Sequence, residues 1–175
     1  MNPLRRPRVP FLLGLLPLLP LLALTGPASR PPQALPHRLT LKLNGAPVPV
    51  DTAYSRIEVS QGAGKVLTLN LIRRDAPDDP GLTILVDEFK PVPAVYRFKE
   101  ILSAHVTEAT YRVGSEVAES QACGVNQGEV RVTAVDTKRQ ILTGTFRAVG
   151  CSTNAPRSGK KYTFEGSFRC AYELR

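Results

Sequence analysis

The chain has no tryptophan, one methionine, two histidines and three cysteines in 175 residues. Each scarcity excludes something. His37 and His105 are the only imidazoles, and no G-x-S-x-G nucleophile elbow accompanies them. His37 borders a proline-rich stretch and His105 stands beside Val106, so both read as surface or half-buried side chains. The cysteines, Cys123, Cys151 and Cys170, are too widely spaced for a Cys/His zinc site. No Lys/Arg run interleaves with aromatics on one strand face, which leaves nucleic-acid binding unsupported. No catalytic set, cofactor or metal site is therefore expected.

The N-terminus is a different kind of sequence. Arg5, Arg6 and Arg8 precede an apolar run from Phe11 to Leu24. A membrane-spanning helix needs about 20 apolar residues, so the run suits a secretory signal better, and Pro17 and Pro20 disfavour a retained helix. Gly26 and Ala28 fit the −3 and −1 positions of a cleavage site, giving a signal peptide over 1–28. No Cys follows as a lipidation site. A periplasmic or extracellular location is expected, with no transmembrane segment in the mature chain. Residues 29–37 are a proline-rich linker, and 38–175 read as a single β domain. Losing the three arginines of the signal lowers the net charge from +8 to +5. The remaining charges look scattered, as on a solvated surface, with at most a weak attraction to anionic envelope surfaces.

From residue 39 onward the apolar residues recur every second position. Leu39, Leu41 and Leu43 form one such strand, closed by the turn-making pair Asn44-Gly45. Ile57 and Val59 mark the next; Leu67, Leu69 and Leu71 the third; Leu82 to Val86 the fourth. The segment from Pro91 to Val106 mixes a helical stripe (Val95, Phe98, Ile101, Leu102) with a strand pattern (Tyr96, Phe98), and reads as a short strand with room for one helical turn. Thr107 to Val113 is a further strand. Three long alternating segments close the chain. Val130, Val132 and Ala134 share a face of the first, Leu142, Gly144, Phe146 and Ala148 of the second, and Tyr162 to Tyr172 of the third. About eight strands with short turns between them predict an all-β antiparallel sandwich or flattened barrel ending in a three-stranded meander. Matching inward faces puts Val130 opposite Phe146, Val132 opposite Gly144, Ala134 opposite Leu142, Gly144 opposite Gly166, and Leu142 opposite Phe168. Phe146 then lies near Phe164.

The order of landmarks resembles an uncharacterised family of small secreted bacterial β proteins, many of them lipoproteins. Asn44, Gly45 and Pro47 match its opening strand. Gly128, Val130, Val132, Thr133 and Asp136 match its G-x-V-x-V-T-x-x-D strand. Gly144-Thr145-Phe146 and Gly166-x-Phe168 match the two that follow. Val48 stands where the family often has an aromatic residue, and its lipid-bearing Cys is lacking. The resemblance implies a fold and no activity.

Extending the first C-terminal hairpin beyond Glu129 brings Cys123 beside Cys151, diagonal by two residues, and export favours a disulfide there. Cys170 would then be a free, buried thiol on the face of Phe164 and Phe168, level with Gln140. The competing reading has it reacting externally or linking two chains. Asp75, Asp78 and Asp79 share a loop that is either a turn or a weak calcium site. Gly144 and Gly166 either admit a ligand to the backbone or make room for phenylalanine rings. Three function classes remain: a non-catalytic secreted or envelope binding or structural module; a carrier of a small apolar ligand in a barrel lumen; and a hydrolase with convergent carboxylates.

Overall fold

The computed structural model describes residues 37–62, 64–99, 106–154 and 159–175. Residues 1–28, expected to be a signal peptide, all of the expected linker but His37, and His105 lie outside them. Twelve strands follow in order: β1 (Arg38–Leu43), β2 (Ala46–Val48), β3 (Arg56–Val59), β4 (Leu67–Leu71), β5 (Gly81–Val86), β6 (Ala94–Arg97), β7 (Thr107–Val113), β8 (Glu116–Glu119), β9 (Gly128–Asp136), β10 (Ile141–Ser152), β11 (Lys161–Ala171) and β12 (Glu173–Leu174). All belong to one hydrogen-bonded sheet. The all-β expectation holds. The strands beyond about eight are short pieces, β2, β8 and β12, whose two to four residues carry too little periodicity to read.

The sheet has two halves. One runs β6-β9-β10-β11-β1-β2 and the other β12-β3-β4-β5-β7-β8. They are joined twice. Cys151 and Ser152, at the end of β10, pair with Glu119 and Ala118 of β8. At the other side only Tyr172 separates β11 from β12, which crosses to pair with β3, the one parallel pairing among the described residues. The halves meet face to face, and the rings of Tyr111 on β7 and Phe164 on β11 lie 5.1 Å apart.

The core follows from alternation. Leu67, Leu69 and Leu71 of β4 and Leu82, Ile84 and Val86 of β5 are buried to within 1%. Against them pack Val130 and Val132 of β9, Leu142, Phe146 and Ala148 of β10, and Phe164, Phe168 and Cys170 of β11. Each such side chain contributes about 1.5–3 kcal/mol on leaving water. The Asn44-Gly45 turn takes positive φ at both residues, 51° and 80°, as a two-residue hairpin requires. The Asn44 side chain also accepts from the Thr163 N–H at 2.8 Å, pinning that turn to β11.

The registers differ from expectation at the meander. Val130 does face Phe146, and Val132 faces Gly144. A bulge between Thr143 and Gly144 then puts Leu142 opposite Val135 rather than Ala134, and Ala134 turns outward to solvent. Between β10 and β11 the expected register is off by two residues. Gly144 faces Phe168, Phe146 faces Gly166, Leu142 faces Cys170, and Phe164 faces Ala148. The sheet faces are unaffected, because a slip of two preserves them. The physical reason is ring volume. Opposing the two glycines would leave two gaps and two crowded phenylalanines, whereas the observed register lays each ring over the other strand's glycine.

Candidate functional site

The outward face of β6-β9-β10-β11-β1 is where unsatisfied chemistry collects. Inward residues on these strands are apolar, so the outward ones fall into rows running across the sheet. One row is an alternating charge ladder: Arg97 beside Glu129, Glu129 beside Arg147, Arg147 beside Glu165, Glu165 beside Lys42. Four interstrand steps make it about 19 Å long. The next row, on the same face, holds Arg131, Thr145, Ser167 and Thr40, and the Thr40 and Ser167 hydroxyls are 2.8 Å apart. A third row brings Thr143, Arg169 and Arg38 side by side.

In these three rows six basic side chains stand with two carboxylates. Glu165 is held by Arg147 at 3.3 Å and Glu129 by Arg131 at 3.2 Å. Exposed pairs of this kind contribute about 0–1 kcal/mol each. Arg38, Lys42, Arg97 and Arg169 have no carboxylate partner among the described residues. Arg38 and Arg169 are directly opposed on neighbouring strands, an arrangement that costs stability in the absence of a counter-charge. Beside the ladder opens a surface groove of about 520 Å³, with Arg97, Glu129 and Arg147 in its walls.

The residues singled out in the sequence lie elsewhere. Cys123 and Cys151 are at disulfide distance, Sγ–Sγ 2.10 Å and Cα–Cα 5.1 Å. The route is not the expected one: Cys123 sits in the turn after β8, and β8, not an extension of β9, lies beside Cys151. Cys170 is a free, buried thiol whose pKa burial pushes up to about 11. It lies level with Leu142 rather than Gln140. His37 is exposed. In the aspartate loop, Asp75 is engaged by Arg73 at 2.5 Å, a hydrogen bond that lowers its pKa and raises that of Arg73. Asp79 accepts from the Gly114 N–H at 2.8 Å, tying the loop to the β7–β8 turn, and Asp78 is exposed. These carboxylates act as turn and loop acceptors.

Two polar groupings escaped the sequence reading. Ser152 donates to Glu116 at 3.0 Å, and Lys160 reaches the same carboxylate at 3.2 Å. The nearby Tyr162 hydroxyl, then Ser152 and Lys160, hold the Glu116 carboxyl below its usual range, although the buried Tyr162 hydroxyl completes no hydrogen bond of normal geometry. A carboxylate held low is a weak base, so the group ties β8 to β10 rather than activating the serine. On the opposite sheet face, burial and then the charge of Glu119 raise the pKa of half-buried Glu108, whose carboxylate accepts from Gln121.

The face escaped notice because its members lie far apart in sequence, Arg38 and Arg169 by 169 − 38 = 131 positions, and meet only through register. The available signal was the outward position of each charge on its own strand. Among the described residues no helix is long and apolar enough to cross a membrane. Compared with protein-family models, curated proteins and solved structures, the chain matches none.

Proposed function

We propose that this chain is a non-catalytic binding module of the cell envelope or the extracellular space, working through the outer face of β6-β9-β10-β11-β1. The observation that carries the reading is the division of labour between the two sides of these strands. The inner side is filled: Phe146 lies over Gly166 and Phe168 over Gly144, closing the gaps the glycines would leave. The outer side keeps four cations without carboxylate partners among the described residues, and a row of hydroxyls in reach of solvent. Stable scaffolds commonly carry recognition on such exposed polar surfaces, because the core beneath fixes their geometry.

A lumen carrier needs an apolar cavity of some hundreds of Å³. The depressions on the described residues that reach such volumes are open surface grooves, such as one of about 650 Å³ walled by Lys65, Asp87, Glu88 and Lys90. The hydrolase reading has one observation in its favour, the raised pKa of Glu108 beside Glu119, but the pair sits on a sheet face, not in a cleft. Native mass spectrometry of the protein purified from cells that make it separates the module from the lumen carrier. The module reading expects the mass of the mature chain, starting at Ser29, with no small molecule attached. A stoichiometric apolar ligand released on unfolding would overturn it.

A further inference from the structure

Resting on the binding-module reading, we infer that the outer face of β9-β10-β11-β1 docks an anionic polysaccharide, a chain of sugars bearing carboxylate or sulfate groups. Charge complementarity gives the sign of the partner. The two carboxylates of its three rows are already spent on Arg147 and Arg131, and Asp136 at the end of β9 lies by Arg139, so the uncompensated charge of the face is positive. The opposed Arg38 and Arg169 repel each other in the free protein, and an anionic group between their side chains converts that cost into a gain.

The neutral row selects among polyanions. Thr145, Ser167 and Thr40 set hydroxyls side by side between the charge ladder and the Arg38–Arg169 row. A polymer lying along β11 and β1 therefore meets charge, hydroxyl and charge at steps of about 7 Å, as Glu165, Ser167 and Arg169 on one strand and Lys42, Thr40 and Arg38 on the other. That suits a partner rich in both anionic groups and hydroxyls. Single-stranded nucleic acid is held by aromatic rings on which its bases stack, and none of the outward residues of these strands is aromatic. The major groove of a duplex admits a helix or a two-stranded ribbon, and proteins that bind the minor groove commonly wedge large apolar side chains between base steps, which the central row of this face does not offer. An anionic membrane is gripped by a cluster of large apolar side chains inserted below a basic rim; here the central row is threonine and serine, and the outward apolar residues, such as Ala134, half-buried Val149 and Val95 of β6, are small or set apart.

The test uses the full mature chain and measures affinity by calorimetry for polygalacturonate, dextran sulfate, uncharged dextran, an oligothymidylate and phosphatidylserine vesicles. Polygalacturonate or dextran sulfate should bind, uncharged dextran should not, and binding should weaken steeply between about 50 and 200 mM salt. R38Q/R169Q should weaken it about tenfold or more, since two of the few free cations are removed. The charge-keeping R38K/R169K should retain most of it, and R56Q/R112Q on the other half of the sheet should leave it unchanged. All four substituted positions are exposed, and thermal midpoints no lower than that of the unsubstituted chain would confirm that the fold is intact. Binding that is indifferent to R38Q/R169Q, or equal for R56Q/R112Q, would overturn the assignment of the face. Preference for the oligothymidylate or the vesicles would overturn the polysaccharide. Binding of uncharged dextran alone would overturn this inference while leaving the binding-module reading standing.

Discussion

Replacing Gly166 by alanine tests the interlock on which both the core and the outer face depend. A Cβ built at this position comes 2.7 Å from Cε1 of Phe146, where ordinary contacts begin at 3.4 Å, and also meets the backbone carbonyl oxygen of Thr40. The ring has to tilt and β1 has to move away from β11. Overpacking of a dense core costs about 1–3 kcal/mol, and a backbone obstacle puts this case at the upper end. Stiffening the unfolded chain returns about 0.4–1 kcal/mol. The net expectation is a loss of about 2 kcal/mol, or about 4–8 °C in thermal midpoint for a domain of this size. Gly62→Ala is the control, because nothing lies within 4 Å of its added Cβ. Thermal unfolding followed by circular dichroism reads both. Combining Gly166→Ala with Phe146→Leu should cost less than the sum of the two singles, since the smaller side chain yields to the new methyl. Equal midpoints for Gly166→Ala and Gly62→Ala, or strict additivity in the double variant, would refute the interlock.

Phe146→Ala, which empties the other half of the same pair, should destabilise by about 3–5 kcal/mol, and Thr145→Ala on the outer side by far less; chemical denaturation compares them. Replacing Cys123 and Cys151 together by serine should cost about 3–4 kcal/mol, from the 28-residue separation that the bond closes, and non-reducing peptide mapping should find Cys123 linked to Cys151 with Cys170 free. Cys170 should resist alkylation at pH 8 until the chain unfolds. Because its folded pKa is raised, to about 11, the stability it confers is complete below the thiol's ordinary pKa and is lost as pH rises toward 11, so Cys170→Ala should flatten the alkaline decline of the unfolding midpoint. Glu108→Gln should raise the thermal midpoint at pH 7, where the charged carboxylate carries both its burial and the repulsion of Glu119. The gain should vanish in acid, where Glu108 is protonated in either state; a midpoint that falls at pH 7 would contradict this.

Much of the fold was legible because strand alternation is a local property. Leu67, Leu69 and Leu71 announce their inner face without help from any other strand. Register is not local. The choice between Gly144 opposite Gly166 and Gly144 opposite Phe168 is decided by how rings fill space between two strands, and both options keep the same faces inward. Ala134 fits the alternation of its own strand and is turned out by a bulge that nothing in its immediate neighbours marks. Strand β12 could not be read from two residues, yet it adds an edge strand beside β3: Arg175 reaches Glu58 at 2.8 Å across the β12–β3 pairing. The disulfide partners emerged correctly from a register argument that ran along the wrong strand, because β8 and the extension of β9 both approach the same end of β10. The candidate site was the least legible part. Arg38, Arg97 and Arg169 look like isolated surface charges until the pairings of β1, β6, β9, β10 and β11 set them on one face.

The account's central claim is that recognition lies on that face and not in the interior. Amide chemical-shift mapping by NMR, with polygalacturonate titrated into isotope-labelled protein, addresses it residue by residue. The shifts should concentrate at Arg38, Thr40, Thr145, Ser167 and Arg169 and fade across β4 and β5. Shifts centred on Leu69, Ile84 or Glu108, with β10 and β11 silent, would contradict it.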